Sequence, residues 1–254
     1  MRAVRRWAEE LAAWAIDPAI MAAAPESPYG FPPGLFGSRR GSAVTHEAVR
    51  GGLPGSVLDV GCGGGAASIP AGAAELLAVD ESTAMLERYR AAAGATPVRT
   101  WCGRWPDLAA DVPPADVVVA ANVVYNVPDL PGFLSALTGH ARRRVVVELT
   151  DAHPWRALAP LWRHFHGQDR PDGPTSALFR EVLAELGIEA RWTSWERLDL
   201  FRGGDPDEVL AFTRRRLCLP ADRDPEIAAQ LARLDEGPPP TATTLWWAGG
   251  YAAR

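Results

Sequence analysis

The sequence predicts an α/β fold, a mostly parallel sheet with helices on both faces, and three observations carry that expectation. Short apolar runs alternate with helical patterns from Val57 to Leu149, the alternation that builds parallel βαβ units. The run Val57-Leu58-Asp59-Val60 enters the cluster Gly61-Cys62-Gly63-Gly64-Gly65-Ala66, which reads as a strand, a ligand loop and the start of a helix. A chain of 254 residues, 47% of them hydrophobic, can bury one large core, so one domain with appendages is expected rather than two folding units.

At the start of the chain, Val4, Trp7, Leu11 and Trp14 recur at three- and four-residue steps, the stripe of an amphipathic helix. Arg2, Arg5 and Arg6 ahead of Met21-Ala22-Ala23-Ala24 imitate a signal peptide, but Glu9, Glu10 and Asp17 interrupt the apolar region it needs. Residues 25–36 are rich in Pro, Gly and aromatics (Tyr29, Phe31, Phe36), unsuited to regular structure and able to fold as a lid.

The glycine cluster is the most informative stretch. Without Cβ the chain turns at positive φ and its amides approach a ligand closely. Leu76-Leu77-Ala78-Val79-Asp80 follows, and a carboxylate about 20 residues after the first glycine can accept ribose hydroxyl protons. Gly61, Gly63 and Ala66 satisfy the dinucleotide pattern, while Gly61, Gly63 and Gly65 satisfy G-x-G-x-G. Asp59, two residues before the first glycine, would repel a pyrophosphate and suits a cationic ligand.

Val57 to Gly65 resembles the first motif of class I S-adenosylmethionine-dependent methyltransferases, whose cofactor carries a sulfonium and an ammonium. Asp80-Glu81-Ser82-Thr83-Ala84-Met85-Leu86 resembles the second motif, and Gly103-Arg104-Trp105-Pro106 the loop after strand three, whose side chains flank adenine. Asp116 to Asn122 resembles strand four, Val123 to Val127 the loop between cofactor methyl and substrate, and Arg144 to Leu149 strand five. These matches span roughly residues 55 to 150, in order and at the right spacings. The resemblance implies a Rossmann-like, seven-stranded, mostly parallel sheet whose sixth and seventh strands form an antiparallel hairpin. It implies S-adenosyl-L-methionine as cofactor, bound by Asp59, Gly61, Cys62, Gly63, Gly65, Asp80, Glu81, Met85, Gly103, Arg104, Trp105 and Asn122.

Beyond strand five, residues 175–186 read as a helix stopped by Gly187, and residues 188–200 as a strand holding Trp192 and Trp195. Residues 205–217 and 225–234 read as helices, with Pro238-Pro239-Pro240 as a stiff spacer into a last strand over 241–251. The expected organisation is a single domain, 1–254: an N-terminal helix and lid (1–50), a cofactor-binding core (51–150), an insertion over the pocket (151–175) and a C-terminal part (176–254) with a helical insertion (203–240). Lid and insertions should carry substrate choice.

Methyl transfer from a sulfonium asks mainly for alignment and desolvation. Where the acceptor needs a base, Tyr125, His153, His164 and His166 are the candidates, with Tyr125, His164 and His166 put forward as catalytic. His164 and His166 point apart on a helix, so at most one readily faces the pocket. Without a carboxylate or cysteine to complete a ligand set, no metal is expected. The net charge of -5 argues against a broad nucleic-acid surface. Three cysteines without C-x-x-C spacing suggest neither zinc nor a disulfide framework and fit a reducing cytoplasm; no apolar run matches a membrane span.

Ser27 to Pro32, Tyr125-Asn126-Val127, and the stretch from Leu161-Trp162 to Arg170-Pro171 resemble a group of actinobacterial methyltransferases, which implies a bacterial cytoplasmic enzyme. No Pro-Pro-Tyr or Pro-Pro-Phe follows Asn122, the family's signature for exocyclic amines of nucleobases or glutamine. The expected reaction is therefore methyl transfer to an O, N, S or C nucleophile of a small molecule, aromatic or heterocyclic, by a monomer or homodimer. The alternatives are an NAD(P)-dependent oxidoreductase, a methyltransferase acting on RNA, and a non-catalytic binding protein.

Overall fold

The computed structural model describes residues 1–29, 42–197, 205–234 and 240–251. Its centre is a seven-stranded sheet built from β1 (Ser56–Val60), β2 (Glu75–Asp80), β3 (Val98–Cys102), β4 (Ala115–Ala121), β5 (Ala141–Thr150), β6 (Arg191–Glu196) and β7 (Thr241–Ala248). The strand order is β3-β2-β1-β4-β5-β7-β6. The first five strands run parallel, whereas β7 is antiparallel to both β5 and β6. Val57 faces Leu76 on one side and Val117 on the other, so the strand leading into the glycines is central and every residue of it is buried. The order reverses between β1 and β4, the switch point at which open α/β sheets bind ligands beyond their carboxyl ends.

Helices cover both faces. On one side α1 (Arg2–Ala12), α5 (Leu130–His140) and α7 (Ser176–Glu185) enclose a core holding Trp7, Leu134 and Phe179. On the other, α3 (Ala43–Arg50) and α4 (Thr83–Ala93) enclose Val49, Leu86 and Tyr89. A third cluster joins α6 (Ala159–His166) to α9 (Asp224–Leu231), with Leu161, Trp162, Leu217 and Ile227 buried in it and Ile20 of α2 (Pro18–Ala23) packed against it. Helix α8 (Pro206–Arg216) starts on Asp205, whose carboxylate accepts from Asp207 N and Glu208 N.

The helix expected directly after the glycine cluster is not formed. A single 3-10 turn, Ile69–Ala71, stands there, because Pro70 lies inside it and Gly72 ends it in the left-handed region at φ 78°. Of the strand expected over 188–200, residues 191–196 are regular and 198–200 lie outside the described residues; that expected over 241–251 ends at Ala248. Phe31 and Phe36 of the expected lid, and Pro238 and Pro239 of the expected spacer, lie outside the described residues. Among the described residues, no helix is long and apolar enough to cross a membrane.

Candidate functional site

The loop after β1 is fixed from three directions. Gly61 N and Cys62 N both donate to Val79 O, at 2.8 and 3.1 Å, which holds the loop to the end of β2. Gly61, Gly63 and Gly65 all sit at positive φ. A Cβ at Gly65 would collide with Ile69 Cδ1 and one at Gly61 would lie 2.5 Å from Val123 Cγ2, whereas at Gly63 and Gly64 nothing lies within 4 Å. The loop therefore packs on protein at its ends and turns its middle toward open space, where main-chain amides can meet a ligand.

The helix α3 clamps the same loop. His46 Nε2 lies 2.8 Å from Ala66 O, and Arg50 donates to Pro70 O at 2.9 Å. Asp80, at the end of β2, accepts from Gly63 N and from Ser82 N, each at 2.9 Å, so one carboxylate spans the glycine loop and the start of α4. Gly103 N donates to Asp80 O at 2.9 Å, bringing the loop after β3 to the same point. Cys62 is buried, Met85 partly buried, and Glu81 exposed within 3.9 Å of Arg104.

A polar network fills the end of β4 and β5. Asn122 stands at φ 60°, its N donating to Glu148 O at 2.7 Å and its Nδ2 to Glu148 Oε1 at 2.9 Å. Glu148 Oε2 accepts from Thr45 Oγ1 at 2.6 Å, and Arg197 donates to Asn122 Oδ1 at 3.1 Å. The side-chain amide of Asn122 is thus oriented at both ends by charged groups.

Residues 58–147 match the model of a family described as a methyltransferase domain. The fold is that of magnesium protoporphyrin IX methyltransferase from Synechocystis, solved with bound SAH, with a TM-score of 0.52 at 19% identity over 82% of this chain and 81% of that one. The family match and the fold thus agree over the stretch that holds the glycine loop. SAH is what S-adenosylmethionine becomes once it has given up its methyl group. An uncharacterized protein of Haemophilus influenzae is 33% identical over 162 residues, 61% of this chain and 59% of that protein, so the similarity spans about three fifths of the relative's length.

The donor set of the methyltransferase domain fits that cofactor. Asp80 offers a carboxylate beside the glycine amides, and the open side of Gly63 and Gly64 leaves their backbone accessible. Asp59 has a different place from the one its position suggests. It is 1% exposed, beneath the loop, and accepts from Ser68 Oγ at 2.5 Å, with Tyr89 Oη 2.7 Å beyond. Burial pushes its carboxyl up to about 7, against the lowering effect of the Ser68 bond and with Asp80 and Glu148 adding to the rise. Asp59 braces the loop from below through Ser68.

Trp105 lies inside the core: its indole is buried and meets the His140 ring edge-on at 4.8 Å. Arg104 stays exposed, near Asn126 O. Tyr125 is buried and donates to Thr150 O at 2.5 Å. Burial pushes its phenol well above the ordinary range, so it is a wall at the end of β4, not a base at neutral pH. His164 pairs with Glu226 at 2.9 Å, and His166 Nε2 lies 2.7 Å from Leu217 O, both in the seam between α6 and the helical insertion. Neither is brought to Asn122 by any described contact. Thr45, Ser68 and Arg197 were not legible as site residues, because the partners they meet lie far away in sequence. Among the described residues, no group of three His, Cys, Asp or Glu is placed to hold a metal.

Proposed function

We propose that the protein is an S-adenosylmethionine-dependent methyltransferase acting on a small-molecule acceptor. The observation that carries this reading is Asp80 at the carboxyl end of β2, bonded to the amide of the open glycine loop, within a stretch matched by a methyltransferase domain model. S-adenosylmethionine supplies a methyl group on a sulfonium, which leaves as a neutral thioether.

Asp80 binds the ribose hydroxyls, with Gly61, Cys62, Gly63 and Gly65 shaping the backbone cradle and Glu81, Met85, Gly103 and Arg104 at its rim. Asp59, through Ser68, holds that cradle in shape. Asn122, fixed between Glu148 and Arg197, presents a rigid polar group at the switch point, where a preset geometry lowers the entropy cost of alignment. The chain offers no free base beside Asn122 among the described contacts, so alignment and exclusion of water are the residues' main contribution. This favours an acceptor already nucleophilic at the working pH.

Calorimetric titration of the full chain with S-adenosylmethionine, S-adenosylhomocysteine and NAD tests the reading. Micromolar binding of the first two and none of the third is expected. Binding of NAD alone would overturn it in favour of a dinucleotide oxidoreductase.

A further inference from the structure

The sheet ends at β6, which pairs with β7 on one side and, among the described residues, with no strand on the other. Its six residues run Arg-Trp-Thr-Ser-Trp-Glu, and all but Trp195 are exposed. The middle of the strand holds residues that favour pairing, with no proline, lysine or bulge to blunt the edge. Arg197 N donates to Pro240 O at 2.8 Å, and bonding alternates along an antiparallel ladder. Arg191, Thr193 and Trp195 therefore turn their main-chain groups to β7, while Trp192, Ser194 and Glu196 turn theirs outward.

The side chains of this edge complement themselves in one register. A two-fold axis normal to the sheet keeps the faces of two copies matched, so only residues on the same face oppose each other. Two such registers overlap nearly the whole strand. Centred on Ser194, the pairing sets Arg191 opposite the second copy's Arg197, and like charges there repel. Centred on Thr193, it sets Arg191 opposite the second copy's Trp195, a guanidinium beside an indole. Trp192 then opposes Ser194, and their outward main-chain groups exchange hydrogen bonds.

Charge fits in the same register on the other face. The second copy's Glu196 becomes the diagonal neighbour of Trp192, within reach of a long side chain. Arg180 of α7 stands at that point, its Cζ 4.1 Å over the Trp192 ring and its buried Nε without an acceptor among the described residues. Leu183, Ile188 and Ala190 line an open groove beside it, so an incoming carboxylate has access to the guanidinium. We propose that β6 is the interface through which two copies of this chain pair, antiparallel and centred on Thr193, joining their sheets into one. The inference stands apart from the methyltransferase reading, since neither β6 nor Arg180 belongs to the proposed cofactor site.

Sedimentation velocity of the full chain across micromolar concentrations tests it, with twice the 27.3 kDa of one chain expected. Ser194→Pro removes an outward amide and leaves the ladder to β7 intact, so it should sediment as a monomer with unchanged circular dichroism. Glu196→Arg and Arg180→Glu should each raise the dimer's Kd by about tenfold, the pair occurring twice across the axis, and the double exchange should restore it. Thr193→Cys sets two thiols across the axis and should give a disulfide-linked dimer under mild oxidation. Ser194→Cys and the wild type, whose Cys102 is exposed, should not. A wild type that stays monomeric, a dimer that survives Ser194→Pro, or crosslinking through Ser194→Cys in place of Thr193→Cys would overturn the proposal. Should Ser194→Pro fail to fold, the wild-type mass and the two crosslinking variants still decide.

Discussion

Asp59 and Asp80 are two carboxylates at adjacent strand ends with opposite duties. Asp59 is buried under the loop with its carboxyl held up at about 7, so the folded protein keeps a proton that the unfolded chain releases near the ordinary carboxylate range. The stability this contributes is complete below that range and is lost as pH rises toward 7, by about 1.4 kcal/mol for each pH step of one and on the order of 4 kcal/mol at most. Denaturant midpoints at pH 5 and pH 8 should therefore fall in the wild type and fall less in Asp59→Asn; parallel slopes in the two proteins would refute the assignment. In the proposed function Asp80 holds the ribose, so Asp80→Ala should weaken S-adenosylmethionine binding by about 1–3 kcal/mol in a calorimetric titration. That Asp80 meets the glycine loop was readable from its distance to Gly61, since that spacing is a local property of strand, loop and strand. The burial of Asp59 was not, because it depends on Ser68 and Tyr89 folding back beneath the glycines.

At the scale of elements, the glycine loop separates folding from binding within a few residues. Gly65 stands at φ 81°, and a Cβ there would overlap the Ile69 side chain. Gly65→Ala should then destabilise the protein by about 1–3 kcal/mol through backbone strain and collision. Gly64 has no such strain, and a Cβ there meets nothing within 4 Å. Gly64→Ala should leave the melting temperature nearly unchanged and weaken S-adenosylhomocysteine binding, and equal melting losses in the two variants would contradict this division. The strands of this region were legible because apolar runs bounded by glycine announce themselves. The missing helix after the loop was not, because Pro70 and Gly72 weigh more than the alanines around them. The partners of Trp105, His164 and His166 were not legible for a related reason. An indole or imidazole has the same sequence signal whether it faces a ligand or a core, and here His140, Glu226 and Leu217 supply the partners.

The whole molecule joins a locally coded sheet to a site closed by distant segments. Thr45 reaches Glu148 across 103 positions and Trp7 reaches Val127 across 120, separations that no periodicity encodes. Trp7 is the clearest case. Fully buried, it stacks on Tyr125 with ring centroids 5.8 Å apart and meets Phe179 edge-on at 5.6 Å, while its Nε1 donates to Val127 O at 3.2 Å. The leading helix is thus part of the central core, because it seats the residue on which Tyr125 rests. Truncating such an indole removes its transfer energy, leaves a cavity and strands the Val127 carbonyl, so Trp7→Ala should cost about 3–5 kcal/mol. Against a total stability of about 5–15 kcal/mol for a domain, that is a large share. It should appear as a lower urea midpoint with circular dichroism and tryptophan fluorescence still coincident, since one core unfolds as a unit. A midpoint equal to the wild type's would mean that the leading helix is an accessory to the sheet, and Tyr125 would then need another support.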